Sequence, residues 1–504
     1  MTITTDTDAI IMNTRPNAAT EKLSVVEKVG YSLGDLSANL IFQTFVTFIA
    51  FFYTDVYKIP ASTATFIIFF GGMAGAFFSP VMGMIADRTS TRWGKFRPWI
   101  LWTAIPFGVL AIAAFTTPDI SLEGKVAYAF VTYLLLVIIY SANNLPYSAL
   151  SGVLTGSMKE RNSLSSYRFV AVMFAQFIIQ VLLLPIVLIM GDGDKAVGFE
   201  KTMIMFSIIG TVFFLITFYT TKERVIPKPE QKSTIKEDFV DLFKNKPWVI
   251  MLLTTILVFI TLALKGGMYI YYFQNYVSQA DLAQFQQNIG FNDFILGLNH
   301  TLTNLGLTEF HWPEDIAISG NSIFNGCGII FMIIGICFSK SLADKFGKRN
   351  VFVSSLFVST LFILFFYFYA PESVALMFIS QILHGLFYGI STPILWAMIA
   401  DVADFSEWKN NRRATAIIFS AMLFGLKAGL SIGGSLVAGI LAFYGYNADL
   451  TTQTPNTVEG IKFAVSIYAS LPFLLACASL FFYEINKKME LQIEADLSER
   501  RATP

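Results

Sequence analysis

Long apolar runs separated by short polar segments recur from about residue 31 to residue 484. Most run for roughly 20 residues or more, which is the length that an α-helix needs to cross the hydrocarbon core of a bilayer. The pattern therefore predicts twelve membrane-spanning helices. Their expected bounds are 31–56, 63–86, 98–117, 125–150, 165–190, 201–221, 247–276, 317–340, 350–370, 373–402, 413–444 and 461–484.

Composition agrees with a membrane protein. Of 504 residues, 55% are hydrophobic and only 14% are charged, whereas soluble domains carry about 25% charged residues. The formal net charge of zero gives no electrostatic reason to expect a nucleic-acid partner. Cys327, Cys337 and Cys477 lie in apolar runs, which favours small core residues over a disulfide framework or a metal site. The polar N-terminus has no apolar stretch typical of a cleaved signal peptide.

Lysine and arginine are concentrated in every second loop. The loops after spans 2, 4, 6, 8 and 10 are basic, whereas the loops on the opposite side carry only scattered single lysines. Because basic loops stay in the cytoplasm, this pattern predicts that both termini are cytoplasmic. We expect a multi-pass protein of the plasma membrane, which in bacteria is the inner membrane.

The chain divides into two halves that resemble each other. The second span of the first half is followed by ADRTSTRWGKFRP, and the second span of the other half by ADKFGKRN. Any cytoplasmic loop can be basic, but this does not explain the matched Asp and Gly-Lys. We interpret the match as an internal repeat, which is typical of transporters. The loop resembles that of the major facilitator superfamily.

This resemblance implies an all-α membrane fold of twelve helices in two six-helix pseudo-repeats. The expected division is a cytoplasmic tail 1–30, a helix bundle 31–221, a basic linker 222–246, a second bundle 247–484 and a cytoplasmic tail 485–504. An outward-facing insert, 277–316, interrupts the second bundle and contains no Lys or Arg. Its apolar residues predict a small packed cap: Phe285, Phe291, Phe294, Leu298, Leu302, Phe310 and Trp312.

Polar side chains follow helical spacing inside several spans. Ser32, Asp35, Asn39 and Gln43 share one face of span 1. Polar groups at this depth are costly unless they face a cavity or each other. Amide, charged and aromatic groups together suit a sugar, which has hydroxyls and an apolar ring face. The candidate substrate-binding residues are Asp35, Asn39, Tyr140, Asn143, Asn144, Tyr147, Arg168, Lys265, Tyr269, Tyr272, Asn321, Asn325, Trp396 and Lys427.

Each of these residues also has a structural interpretation. A single Asn or Tyr can join two helices by a hydrogen bond, His384 can be a hydrogen-bonded packing residue, and Trp396 can belong to the core. Asp35 and Lys427 are different, because ionised groups in apolar helices seldom serve packing alone. We expect them to have functional or gating roles.

Five long motifs resemble the glycoside–pentoside–hexuronide:cation symporters, the relatives of melibiose permease. They are GDLSANL, FFYTDVYKIP, RWGKFRPWIL, NNLPYSAL and WAMIADVADFSEWKNNRRATAIIFSA. The resemblance covers nearly all of the chain except its ends and the insert. It implies inward co-transport of a sugar with a cation by alternating access. The positions that correspond to the central sugar and cation region are Asp35, Asn39, Asn144, Arg168 and Lys427.

A second cluster of charges lies at the predicted cytoplasmic mouth of spans 10 and 11. Acids and arginines there can pair in one state and separate in another, which suits a gate. The alternative is a static surface network of ion pairs. The candidate gate residues at this mouth are Asp401, Asp404, Glu407, Arg412 and Arg413, and Asp87 in the loop after span 2 is a further candidate.

The sequence departs from the family at the cation site. Melibiose-permease-like members bind sodium with two acids one turn apart on span 2, where this chain has Gly75 and Ser79. Sodium prefers several hard oxygen ligands, whereas a proton needs one titratable group. Asp35 is therefore the candidate coupling residue, with proton coupling favoured over sodium, and Lys427 is the cation expected to favour proton release.

Other interpretations stay open at this point: an uncoupled facilitator, a sodium symporter of the same fold, or a carrier of a solute that is not a sugar. An enzyme would need a nucleophile–base pair or a metal cluster, and three scattered His and three scattered Cys offer none. A lipid carrier should have a more apolar cavity. We expect a monomer without a cofactor.

Overall fold

The protein is represented by a computed structural model that describes residues 22–155, 157–224, 244–305, 312–410 and 415–502. Within these ranges it contains twelve helical segments long and apolar enough to cross a membrane, which confirms the predicted twelve-span architecture. Several spans are interrupted by short π-helical or 3₁₀ turns. We number the spans 1 to 12 in chain order.

The first six spans are built from these helices: Val25–Phe51 with the π turn Phe52–Val56; Ala61–Arg88; Arg97–Ala114; Leu122–Leu154; Met158–Phe177, Ile178–Leu182 (π) and Leu183–Met190; and Lys195–Thr220. The other six are built from Lys246–Asn275; Ile316–Phe346; Lys348–Leu364 with Phe365–Tyr367 (3₁₀); Val374–Asn410; Thr415–Phe443; and Pro455–Phe463, Ala464–Tyr468 (π), Ala469–Ser479 and Leu480–Phe482 (3₁₀).

Span 1 begins earlier than its hydrophobicity suggests. Ser24 and Glu27 form a capping box, in which the Glu27 amide donates to Ser24 Oγ over 3.2 Å and the Ser24 amide donates to Glu27 Oε2 over 3.1 Å. This pairing satisfies amide groups that the first helical turn would leave unbonded. The helix therefore starts at Val25 rather than at residue 31, and the tail expected at 485–504 contains the helix Lys487–Ala502.

Glycines bring some helices of the second half very close together. A Cβ at Gly385 of span 10 would lie 2.3 Å from the Gly328 carbonyl oxygen of span 8, and a Cβ at Gly389 would lie 2.1 Å from that of Met332. Such contacts let backbones approach where larger side chains would separate them. Spans 8 and 10 consequently form a tight pair on which the insert rests.

The two halves meet along matched helix pairs: span 2 packs on span 11, span 5 on span 8, and span 1 on spans 7 and 11. We call the end of the bundle at which Val25 lies the terminal face, and the opposite end, with the insert, the insert face. Each half thus presents equivalent helices to the other, as an internal repeat requires.

The insert contains two short helices, Gln279–Asn288 and Phe291–Asn304. Phe285 of the first packs on Phe378 of span 10 with ring centroids 4.6 Å apart, and Gln286 accepts a hydrogen bond from Ser319 of span 8 over 2.9 Å. Phe294 of the second helix is 64% exposed. The first helix is therefore packed on the bundle as predicted, the second lies largely at the surface, and Phe310 is outside the described residues.

Candidate functional site

A line of hydrogen-bonded polar side chains runs along span 1. Asn39 donates through Nδ2 to the Asp35 carbonyl over 2.8 Å and to Asp35 Oδ1 over 3.3 Å, and Gln43 donates to Asn39 Oδ1 over 3.1 Å. The spacing of four residues places all three on one helical face. The structure thus brings together the span 1 candidates that the sequence indicated.

Asp35 also forms an ion pair with Arg168 of span 5. Arg168 Nε lies 2.8 Å from Asp35 Oδ2, the Asp35 side chain is only 4% exposed, and that of Arg168 is 30% exposed. A buried carboxylate requires a partner of this kind. Among the described residues, Nε forms the guanidinium's only hydrogen bond, so its outer nitrogens can donate to a ligand.

Two stacked tyrosines support this ion pair. The rings of Tyr31 and Tyr147 lie 4.6 Å apart and nearly parallel, and each hydroxyl donates to the other residue's carbonyl, over 3.0 and 2.6 Å. The Arg168 guanidinium carbon lies 5.9 Å from the Tyr31 ring and 5.4 Å from the Tyr147 ring, within cation–π range. The arginine is therefore held from both the carboxylate side and the ring side.

Gly34 explains why the tyrosine pair fits against span 1. A Cβ at this position would lie 2.6 Å from Tyr147 Cε2 and 2.9 Å from Thr217 Oγ1. Both distances are too short for a real side chain, so glycine is what lets the Tyr147 ring reach Tyr31. We call Tyr31, Asp35, Asn39, Tyr147 and Arg168 the Asp35 cluster.

Lys427 of span 11 reaches from the second half into the first. Its ammonium donates to Ser79 Oγ of span 2 over 2.6 Å and to Ser141 Oγ of span 4 over 2.9 Å. Each serine hydroxyl gives its own proton to a carbonyl of its helix, at Gly75 and Val137, which leaves oxygen lone pairs for the lysine. Lys427 thus ties the two halves together.

Beside Lys427 lies a cleft between spans 1, 2, 4 and 11. Tyr140 forms part of its wall, stacked on Phe42 at 4.1 Å, and the Lys427 ammonium lies 5.4 Å from the Tyr140 ring. The other lining residues are mainly apolar: Phe45, Val46, Ile49, Ile68, Gly72, Tyr133, Val137, Leu430, Ser431 and Gly434. Half-buried Asn144, on the helix that carries Tyr140, forms no hydrogen bond with any other described residue, so its amide is available to a ligand.

Other predicted candidates lie inside one half. Asn143 is fully buried and donates to Thr103 of span 3 over 2.8 Å. The Tyr272 hydroxyl donates to Met377 Sδ of span 10 over 3.7 Å, and Asn325 donates to Asn321 over 3.4 Å within span 8. These contacts favour the helix-joining interpretation for Asn143 and Tyr272. Trp396, on span 10, is 38% exposed and is not a core residue.

Lys265 and His384 form a second polar cluster, buried in the other half. The Lys265 ammonium contacts His384 Nε2, and Tyr269 donates to Gln381 Oε1 over 3.2 Å. Lys265, Tyr269, Gln381 and His384 are all less than one-tenth exposed. The structure therefore places Lys265 and Tyr269 inside spans 7 to 10, apart from the Asp35 cluster.

Residues that the sequence analysis did not select join the two halves at the insert face. Tyr446 donates to Asp55 Oδ1 over 2.5 Å, and Thr54 and Tyr271 hydroxyls lie 2.7 Å apart. Burial, together with the Asp55 carboxylate, raises the pKa of Tyr446 and keeps its hydroxyl protonated. These contacts join span 1 to span 7 and to the segment after span 11. Asp55 lies within FFYTDVYKIP, so its membership of that motif was the available signal.

Ion pairs stabilise each half at the terminal face. Lys348 contacts Asp401 over 2.7 Å and Glu490 over 2.6 Å, joining spans 9 and 10 to the C-terminal helix. In the first half, Lys28 lies 2.8 Å from Glu160, and this hydrogen-bonded contact lowers the pKa of the Glu160 carboxyl. Within the part of the chain that the structure describes, Asp401 therefore belongs to an ion-pair network with Lys348.

The remaining gate candidates are only partly described. Asp404 and Glu407 lie on the terminal end of span 10, in the helix Val374–Asn410. Arg412, Arg413 and the side chain of Asp87 lie outside the described residues. The predicted pairing of acids and arginines at this mouth stays a prediction.

Comparison with known proteins assigns the chain to a family. The family model described as MFS/sugar transport protein matches residues 30–300 and 318–487. The chain belongs to this family. It is accordingly a multi-pass membrane transporter rather than an enzyme, and its symporter relatives imply a small solute and a coupling cation.

Similar proteins include two from Escherichia coli (strain K12). The inner membrane symporter YicJ is 34% identical over 90% of this chain and 91% of its own length. The putative glycoside/cation symporter YagG is 31% identical over 94% of each chain. Among solved structures, the nucleoside transporter NupG superposes with a TM-score of 0.58 at 15% identity, covering 91% of this chain and 99% of its own. That likeness concerns the fold alone.

Proposed function

We propose that the protein imports a sugar (a glycoside, pentoside or hexuronide) together with a proton by alternating access. The observation that carries the proposal is the Asp35 cluster: a buried carboxylate paired with a partly exposed arginine, on a platform of two stacked tyrosines. The relative YagG, a putative glycoside/cation symporter, supports the same solute class.

The available donors and acceptors suit a sugar. Arg168 and Asn144 offer hydrogen-bonding groups that no described residue occupies, while the stacked Phe42 and Tyr140 supply an apolar wall nearby. A sugar needs such a mixture, because its hydroxyls must be paired when they leave water and its ring carbons pack on aromatic faces. We propose Arg168 and Asn144 as direct sugar contacts.

The residues at the expected sodium position favour a proton. A Cβ at Gly75 would lie 1.8 Å from Val137 Cγ1, so an acidic side chain would collide there, and Ser79 Oγ is occupied by the Lys427 ammonium. We propose that Asp35 accepts a proton when the sugar draws Arg168 away from it. Lys427 was the cation expected to favour release of that proton, but its ammonium contacts Ser79 and Ser141. We propose that Arg168 has this role instead.

We further propose that the terminal face is cytoplasmic and that this conformation faces inward. The basic loops support the orientation. The contacts of Asp55 with Tyr446 and of Thr54 with Tyr271 support closure on the outer side.

Uptake of labelled glycosides, pentosides and hexuronides into proteoliposomes tests the proposal. A pH gradient, acid outside, should drive accumulation of at least one sugar, and a sodium gradient should not. Asp35→Asn should lower the accumulation that the pH gradient drives but retain exchange between equal pools, since exchange needs no net proton movement. Sodium-driven accumulation would indicate a sodium symporter, equilibration without accumulation a facilitator, and no uptake of any sugar a different solute.

A further inference from the structure

Lys265 and His384 lie near the middle of the second half and close to its contact with the first. Lys265 is 8% and His384 is 2% exposed. Lys265 is ten residues before the end of the helix Lys246–Asn275, and therefore about 15 Å below the insert face. The ammonium contacts His384 Nε2, and His384 Nδ1 lies 2.8 Å from Ser359 Oγ of span 9.

The hydrogen bonds limit the pair to one excess proton. The Ser359 carbonyl oxygen lies 3.2 Å from His384 Nδ1 and can only accept, so Nδ1 carries the ring proton and Nε2 accepts from Lys265. If His384 also carried a proton on Nε2, two donors would face each other without an acceptor. The pair therefore has a neutral state and a state with one positive charge.

No carboxylate in the described part of the chain forms an ion pair with Lys265. Tyr269, on its own helix, presents a ring 5.6 Å from the ammonium. Span 9 contributes Ser359, and span 10 contributes Gln381 and Tyr388, the latter stacked 5.9 Å from the His384 ring. A buried charge without a counter-charge is costly. The charged state of the pair is therefore unfavourable, and the pair relieves this cost by releasing its proton.

The pair also adjoins the contact between the halves. The next residues, Gly266 and Gly267, face Thr47 of span 1, and a Cβ at Gly267 would lie 2.9 Å from Val437 of span 11. Thr47 follows Asp35, Asn39 and Gln43 at the same spacing of four residues. Any change of charge on Lys265 would therefore take place next to the surface on which span 7 packs against span 1, the helix that carries Asp35.

We propose that the Lys265–His384 pair is a second proton-binding site, which takes up and releases one proton during each transport cycle. This inference rests on the proposed proton-coupled function. Asp35 and this pair would then have different roles, because Asp35 responds to the sugar directly and the pair responds to the contact between the halves.

Two replacements of Lys265 separate its charge from its ability to titrate. Lys265→Met removes the charge, and Lys265→Arg keeps a charge that cannot be released. Both should lower the proton-to-sugar ratio, measured from the potential at which net sugar flux reverses, while exchange between equal pools is retained. Tyr388→Phe keeps the ring beside His384 and should leave the ratio unchanged. An unaltered ratio in both Lys265 variants would overturn the proposal.

Spectroscopy tests the site without any sugar. Replacing His300 and His311 by Gln leaves His384 as the only one of three histidines, so its ring nitrogens can be followed by ¹⁵N NMR. The Nε2 resonance should shift in one step with pH, and Lys265→Met should remove the step. A resonance independent of pH wherever the protein stays folded would overturn the site. A titrating His384 in a protein that moves no tested sugar would instead refute the proposed function and leave the site standing.

Discussion

Replacing Arg168 by alanine should destabilise the protein and also remove sugar binding, for two reasons that a second substitution can separate. The change leaves the Asp35 carboxylate, 4% exposed, with Asn39 as its remaining side-chain partner. It also removes the guanidinium from the Tyr31 and Tyr147 rings. The first loss concerns an unpaired buried charge, and the second concerns contacts of the arginine itself.

The two losses have different sizes. Removing one partner of a buried ion pair costs about 3–5 kcal/mol, and we expect about 3 kcal/mol because Arg168 is 30% exposed. Each cation–π contact adds about 0.5–1 kcal/mol. The double variant with Asp35→Asn removes the unpaired charge, so only about 1–2 kcal/mol of lost ring contacts should remain.

Sugar binding should behave differently. A hydrogen bond to a charged group contributes about 1.5–3 kcal/mol, so Arg168→Ala should weaken binding by about 10- to 100-fold. Neutralising Asp35 restores no donor, so the double variant should regain stability without regaining affinity. Thermal unfolding in detergent and equilibrium binding of the transported sugar measure the two quantities on the same preparations.

Arg161→Ala is the matched control. Arg161 lies on the same helix and bonds to the Thr155 and Gly152 carbonyls outside the Asp35 cluster, so its loss should leave sugar affinity unchanged. A double variant as unstable as Arg168→Ala would show that the ion pair is not the source of the instability. Unchanged affinity in Arg168→Ala would remove this arginine from the sugar site.

Three further predictions concern the topology, the outer closure and the tyrosine platform. In a chain whose three cysteines are replaced by serine, cysteines at Lys345 and Asp293 should label from opposite sides of the membrane; labelling from one side would contradict the twelve-span topology. Asp55→Asn weakens a charged hydrogen bond of about 1.5–3 kcal/mol, so a cysteine at Val46 in the cleft should label faster from outside. Loss of the exposed Lys58–Asp449 ion pair should change this labelling rate little. Equal labelling rates with and without Asp55→Asn would argue against this closure. Gly34→Ala should lower stability by about 1–3 kcal/mol through overpacking and lower sugar affinity, whereas an alanine at Gly152, where a Cβ meets no atom within 4 Å, should do neither. Equal effects of the two alanine variants would contradict the tyrosine platform.

The sequence was sufficient to predict the number of spans and the face on which polar residues of one helix lie. Both depend on local quantities, namely the length of an apolar run and the helical period. Asp35, Asn39 and Gln43 share a face for that reason, and their hydrogen bonds follow the same spacing of four residues.

Partners on other helices could not be predicted in this way, because the helical period does not fix how neighbouring helices are turned toward each other. Asn143 and Asn144 illustrate the limit. Successive residues differ by about 100° around the helix axis, so one amide is buried against Thr103 while the other is half-buried and unbonded among described residues. The contacts of Lys427 with Ser79 and Ser141 required three helices from two halves, which no single-helix pattern specifies.

Span 1 links the features on which transport would depend. It carries Asp35 in the ion pair, Thr47 against the glycines that follow Lys265, and Asp55 in the closure of the insert face. Asp35 and Asp55 are 20 residues apart on one continuous helical segment, a separation of about 30 Å. A helix of this length moves largely as a unit, so a shift that releases Asp55 from Tyr446 also changes the packing at Thr47 and the position of Asp35. Coupling between the proposed sugar site, the proposed proton sites and the proposed outer closure would therefore need no separate relay, because span 1 carries or adjoins all three.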